Sequence, residues 1–68
     1  MSQTIQVGFD PELLPLWAQR ERRVVERCEV DPSFRRDVLN AKGILQKLFL
    51  VENAVDWHWR RIDEQEAT

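Results

Sequence analysis

The sequence predicts an all-α protein: a helical hairpin with an extended N-terminal arm, which dimerises into a four-helix bundle. Three observations support this fold class. Apolar residues recur every three or four positions from residue 34 to residue 62. Two Asp-Pro pairs, Asp10-Pro11 and Asp31-Pro32, are typical helix starts. The chain contains two glycines, three prolines and no tyrosine, a composition that favours helix over sheet.

The N-terminal segment, residues 1–9, has a strand-like alternation. Ile5, Val7 and Phe9 alternate with Gln6 and Gly8. A single strand has no partner to pair with inside so short a chain. We therefore expect an extended arm whose apolar side chains pack on a helix. The alternative is that the arm pairs with the same segment of a second subunit.

The first helix is predicted over about residues 11–30. Asp10 can cap its free N–H groups, and Pro11 suits its first position. Pro15 removes a donor one turn later, so the helix either bends there or begins near Leu14. One face of this helix carries the apolar residues Leu14, Trp17, Val24 and Cys28.

The second and longer helix is predicted over about residues 32–63, with Asp31 as its cap. Gly43 raises the alternative of a break near that residue. We favour a continuous helix, because the apolar spacing keeps its phase across Gly43 and one interior glycine costs only about 1 kcal/mol. The polar tail, residues 64–68, is expected to fray. The predicted packing seam is Phe34, Val38, Ala41, Leu45, Leu48, Glu52, Val55, Trp59 and Ile62.

The chain of 68 residues can form one small domain, residues 1–68, with little core of its own. Cys28 is the single cysteine, so no disulfide can form within the chain, and one Cys with one His supply a zinc site poorly. Oligomerisation is the remaining source of stability. The second helix is also apolar on more than one face, which predicts a homodimer.

Charge and composition argue against several classes of protein. The net charge of -2 disfavours a protein that mainly coats nucleic acid or an anionic membrane. No run of 18 apolar residues is present, which predicts no membrane span. The first residues lack the features of a signal peptide, and with a lone cysteine this leads us to expect a cytoplasmic protein.

The aromatic and basic end of the second helix is the predicted partner-binding surface. Tryptophan and arginine are the residues that dominate binding hot spots. The competing interpretation is structural: Trp59 lies in the core, Trp57 contacts a second subunit, and Arg60 and Arg61 complement the negative end of the helix dipole. The predicted surface comprises Leu50, Val55, Trp57, His58, Trp59, Arg60 and Arg61.

A second candidate is a basic stripe on the first helix, formed by Arg20, Arg23 and Arg27, which could contact an anion or nucleic acid. Neighbouring acidic residues dilute it. His58 could act as a general base, and Cys28 as a nucleophile, although packing explains both residues better. The sequence contains no cofactor motif and no set of metal ligands, so we expect neither a cofactor nor a metal site.

We therefore predict a non-enzymatic interaction protein, such as an adaptor, inhibitor or assembly factor, whose partners are a protein and a second copy of itself. The first alternative is a dimeric nucleic-acid-binding regulator that uses the Arg stripe. The second is a small enzyme with its site at the dimer interface.

Overall fold

The computed structural model describes residues 9–67, and within this range every regular element is helical, as predicted. Of the predicted N-terminal arm, only Phe9 lies among the described residues. The elements are a 3₁₀ helix, Pro11–Leu13, followed by α1 (Leu16–Gln19), α2 (Arg22–Val30), α3 (Pro32–Asn40) and α4 (Ile44–Ala67).

Helix α2 lies at the centre of the fold, because α1, α3 and α4 all pack against it. The molecule measures 43 × 34 × 19 Å, and the shortest dimension corresponds to two layers of helices. One small core joins the layers. Its buried side chains are Leu14, Ala18, Val24, Cys28, Phe34, Val38, Leu50 and Ala54.

The predicted helix over residues 11–30 is wrong as a single element, and its first interruption is at Pro15. Leu14 is extended, with ψ of 154°, because the ring of a following proline disfavours helical backbone. Helix α1 then begins at Leu16. The Gln19 side-chain amide donates a hydrogen bond of 2.7 Å to the Leu14 carbonyl, which satisfies one acceptor freed by this break.

A second interruption, at Arg20 and Glu21, separates α1 from α2. Glu21 is extended and caps α2, since its carboxylate accepts from the Arg23 N–H at 3.2 Å. On an unbroken helix, Ala18 and Val24 would lie about 120° apart around the axis. The change of direction at Glu21 allows both residues to be fully buried.

The sharp corner between α2 and α3 confirms the second predicted helix start. One Asp31 carboxylate oxygen accepts from the N–H groups of Ser33 and Phe34, both at 3.1 Å. The other oxygen accepts from Arg27 Nε at 3.1 Å. Arg35 Nε donates to the Cys28 carbonyl at 3.1 Å, which satisfies an acceptor near the end of α2.

The favoured continuous helix over residues 32–63 is also wrong, and the alternative of a break near Gly43 is correct, because the chain leaves helical geometry between Asn40 and Ile44. Gly43 has φ of +78°, a conformation that other residues adopt at a cost. Its carbonyl accepts the first backbone bond of α4, from the Lys47 N–H at 3.4 Å. The Gln46 side chain reaches back to the Lys42 N–H at 3.0 Å, as in a capping box.

This break changes which face of α4 is buried. On an unbroken helix, Val38 and Ala54 would lie about 160° apart, so they could not share a core. Both are fully buried in the structure. Three predicted seam residues of α4 are instead turned outward: Leu45 is 79% exposed, Leu48 53% and Trp59 55%, whereas Val55 and Ile62 are half-buried.

Helix α4 also runs further than predicted, to Ala67 rather than to about residue 63. Its 24 residues correspond to a length of about 36 Å at 1.5 Å per residue. Helices α2 and α3 contain nine residues each. Helix α4 is therefore much longer than either α2 or α3, the nine-residue helices that pack against it.

Substitution of Gly43 tests the break between α3 and α4. We expect Gly43→Ala to lower the free energy of unfolding by about 1 kcal/mol, because alanine is strained at positive φ. Gly43→Asn should cost less, since asparagine tolerates this region. Urea unfolding followed by circular dichroism measures both. If Gly43→Ala raised the stability instead, the helix would be continuous here, because alanine stabilises a helix interior.

Asp31 provides a test by pH. The N–H of Phe34, together with Arg27, lowers the pKa of this carboxyl. Its stabilising contribution is therefore present above the unfolded-state pKa of about 3.9 and is lost as the pH falls through the folded-state value. At pH 7, we expect Asp31→Ala to cost about 1 kcal/mol.

The loss for Asp31→Ala should shrink in unfolding titrations repeated at pH 3. Asp31→Asn keeps a capping side chain but loses the charge, so it should cost less than alanine at pH 7. Asp37→Ala, at an exposed position of α3, is the control. Equal losses for Asp31→Ala at the two pH values would contradict the role of the charged cap.

Candidate interaction surface

The predicted surface at the end of α4 divides into an inward and an outward part. Trp57 faces α2 and is half-buried. The Arg27 guanidinium carbon lies 5.4 Å from the centre of a Trp57 ring, and that of Arg61 lies 4.8 Å away. Arg27 is also 5.1 Å from the Phe34 ring. Trp57 and Arg61 therefore take part in stacking within the chain.

Arg27 is the centre of this stack. Its Nη2 lies 3.0 Å from the Asp31 carboxylate, and its side chain is only 21% exposed. Because the guanidinium is held between two aromatic rings and a carboxylate, it joins α2 to both α3 and α4. Such cation–π contacts contribute about 0.5–2 kcal/mol each, more when they are shielded from water.

His58 lies beside α2, with its Nδ1 3.5 Å from a Glu26 carboxylate oxygen. It meets Trp59 edge to face, with ring centres 5.8 Å apart. Trp59 itself is 55% exposed on the outer side of α4. Arg60 pairs with Asp56 at 3.1 Å, and both are well exposed, so this pair adds little stability.

Leu50 does not belong to an accessible surface. It is 5% exposed and packs in the core, so its place in the predicted partner-binding set is corrected. The prediction assumed an unbroken second helix, on which Leu50 lies outside the main stripe. Val55 is half-buried.

The three arginines of the predicted basic stripe do not lie on one helix. Arg20 lies in the interruption between α1 and α2, whereas Arg23 and Arg27 lie on α2. Arg23 forms a forked pair with Glu21, at 3.1 and 3.3 Å, and its hydrogen bond lowers the pKa of Glu21. Arg27 is occupied by Asp31 and the aromatic stack. Two of the three guanidiniums are therefore already paired.

Cys28 lies on α2, and its side chain is fully buried in the core. Burial raises the pKa of its thiol to about 11. At neutral pH the thiolate, which is the nucleophilic form, is therefore scarce and shielded.

Among the described residues, several apolar side chains of α4 are left uncovered by the core. Their exposed fractions run from 53% to 79%. We call this set the α4 apolar surface: Ile44, Leu45, Leu48, Phe49 and Trp59. The sequence signal for it is the surplus of apolar residues around this helix, which predicts a homodimer. The predicted packing seam instead places Leu45, Leu48 and Trp59 inside.

A groove runs from this surface towards α1. It encloses about 510 Å³ and has Trp17, Leu48 and Val51 among its lining residues. Arg20 and Lys47 add positive charge, while Glu21 is already paired with Arg23. The groove has an apolar floor that continues onto α4.

A second, charged cleft lies between α2 and α4, with a volume of about 650 Å³. Glu26 and His58 line it, together with the Glu21–Arg23 pair. Within residues 9–67, no group of three or more His, Cys, Asp or Glu side chains could hold a metal ion. Of the helices in the same range, none has the length and apolar character required to cross a membrane.

The two neighbouring tryptophans give a matched test of inward and outward positions. We expect Trp57→Ala to lower the free energy of unfolding by about 3 kcal/mol, because it removes a packed ring and the partner of two guanidiniums. Trp59→Ala should change it by about 0.5 kcal/mol. Urea unfolding at low protein concentration measures both. Equal losses would contradict the placement of Trp57 in the stack.

No protein-family model matches this chain, and no curated protein or solved structure matches it either. Proposals about its function therefore rest on its own contacts and exposed surfaces.

Proposed function

We propose that this chain is a small non-enzymatic interaction module that binds other proteins through the α4 apolar surface. The observation that supports the proposal is the cluster of exposed apolar side chains on the first half of α4. Leu45 is 79% exposed, Ile44 71% and Phe49 64%, and these residues lie within two turns. Contiguous apolar surface of this kind on a small protein marks an interaction site.

The composition of the surface suits protein contact. It contains long aliphatic side chains and an aromatic residue, Phe49, beside the basic residue Lys47 at its edge. Amphipathic helices bind grooves of this type through apolar anchors on successive turns. The groove beside Trp17 could receive such an anchor.

Self-association belongs to the same proposal. A homodimer, arranged as a bundle in which α2 and α4 of each copy pack together, would cover apolar area that the monomer leaves in water. The burial of this area would also supplement the small core. We place the protein in the cytoplasm, in keeping with its single buried thiol.

Paired leucine substitutions test the interaction surface. Leu45→Glu changes an exposed position of the α4 apolar surface, and Leu39→Glu makes the same change on α3, where the leucine is 51% exposed. Both variants should retain the circular dichroism and the unfolding midpoint of the wild type within about 0.5 kcal/mol. Affinity capture from cell extract should lose its bound protein with Leu45→Glu and keep it with Leu39→Glu.

The proposal is contradicted if Leu45→Glu and Phe49→Glu capture the same proteins, in the same amounts, as the wild type. Loss of capture in Leu39→Glu as well would show that apolar surface binds without regard to position. Binding of the captured protein is then measured by titration calorimetry, where Leu45→Glu should weaken it at least tenfold, or about 1.4 kcal/mol.

A further inference from the structure

One flank of α4 carries a regular seam, apolar except for His58, beside the face that packs on α2. Its members recur every four and three residues, the spacing at which helices pack side by side. Ile44 and Leu48 are exposed, and the later members are half-buried at the edge of the core. The α4 seam consists of Ile44, Leu48, Val51, Val55, His58 and Ile62.

We propose that a second copy of this chain covers the α4 seam, with the two α4 helices parallel. The inference rests on the self-association proposed above and specifies its face and direction. At 100° per residue, Val51 lies about 100° and Leu48 about 160° around the helix from the buried Leu50. A partner helix on this flank therefore adjoins α2 without displacing it, as neighbouring helices do in a bundle.

The apolar layers fit such an assembly. In the parallel arrangement each seam residue meets its own counterpart, so Leu48 packs on Leu48 of the partner subunit. In the first three layers, the β-branched residues Ile44 and Val51 occupy one position of the repeat and Leu48 occupies the other. This pattern favours assemblies of more than two helices, and α2 of each copy supplies the third and fourth.

The charged residues beside the α4 seam favour a parallel direction of the two α4 helices. When two helices run parallel, a residue on one flank of the seam meets the residue five positions later in the partner. Lys47 then lies beside Glu52 of the partner subunit, and Arg61 beside Glu66 of the partner subunit. Within residues 9–66, no ion pair joins Lys47 or Glu52 to another side chain. The parallel dimer therefore pairs two charges that the monomer leaves unpaired.

The antiparallel arrangement brings like charges together. If the same seam is aligned with Ile44 beside Ile62 of the partner subunit, each flank meets its own flank. Lys47 then lies near Arg61 of the partner subunit, and Glu52 near Glu52 of the partner subunit. Like charges held side by side in this way repel, so they select against this antiparallel alignment, in which the two seams overlap fully.

Charge reversal provides the first test. Sedimentation equilibrium of the full chain should show a concentration-dependent dimer. Lys47→Glu and Glu52→Lys should each weaken dimerisation about tenfold, because each places like charges together in two symmetric contacts. The combined variant should restore wild-type affinity. Lys42→Glu makes the same charge change outside α4 and should leave dimerisation unchanged.

Disulfide formation provides the second test, with the buried Cys28 left in place. Leu48→Cys should form an intersubunit disulfide under mild oxidation, because the two residues meet in the parallel dimer. In the antiparallel alignment with Ile44 beside Ile62 of the partner subunit, their Cα atoms lie at least about 15 Å apart, too far for a disulfide. The wild-type chain, whose single cysteine is the buried Cys28, is the control and should form no disulfide between subunits. An equimolar mixture of Ile44→Cys and Ile62→Cys chains should form no mixed disulfide between these positions.

The outcomes separate the two proposals. A stronger dimer with Lys47→Glu, or a mixed disulfide between positions 44 and 62, would overturn the parallel arrangement and leave self-association standing. A chain that stays monomeric at 100 µM would overturn the second copy as the occupant of the α4 seam. The capture experiment with Leu45→Glu would still decide whether the α4 apolar surface binds another protein.

Discussion

The Arg27 side chain is the contact on which the arrangement of helices depends. Its guanidinium lies between the rings of Phe34 and Trp57 and pairs with Asp31, so one residue of α2 fixes both α3 and α4. The small core alone leaves the angle of α4 weakly determined, because Leu50 and Ala54 are its only fully packed members from that helix among the described residues. The stack adds directional contacts where apolar area is scarce.

Local signals predicted the parts of the fold that depend on nearby residues. The caps at Asp10 and Asp31 lie where the Asp-Pro pairs place them, since a carboxylate bonds N–H groups only two or three residues away. The burial of Val24 and Cys28 also follows from periodicity within one short helix. These predictions needed no knowledge of the rest of the chain.

The predictions that failed assumed that the helical spacing of apolar residues continues without interruption across Gly43. The spacing from Phe34 to Ile62 is regular, but Gly43 adopts positive φ and reorients everything after it. Leu50 consequently enters the core while Leu45 and Trp59 face outward. Trp57 and Trp59 lie about 160° apart around α4, so one faces inward and the other outward, and the break at Gly43 makes Trp57 the inward one. An apolar pattern that fits several faces of one helix cannot by itself identify the buried one.

Because Cys28 is buried, its chemical reactivity reports how often this small fold opens. The thiol is fully buried in the most central helix, and burial raises its pKa to about 11. An alkylating reagent can reach it only when α2 separates from its neighbours, so the rate of modification measures the population of that open state. A ligand or subunit that binds the closed form lowers this population by mass action and therefore slows the reaction. One natural side chain thus converts the binding of a ligand to the closed form into a chemical rate that is measured in the core.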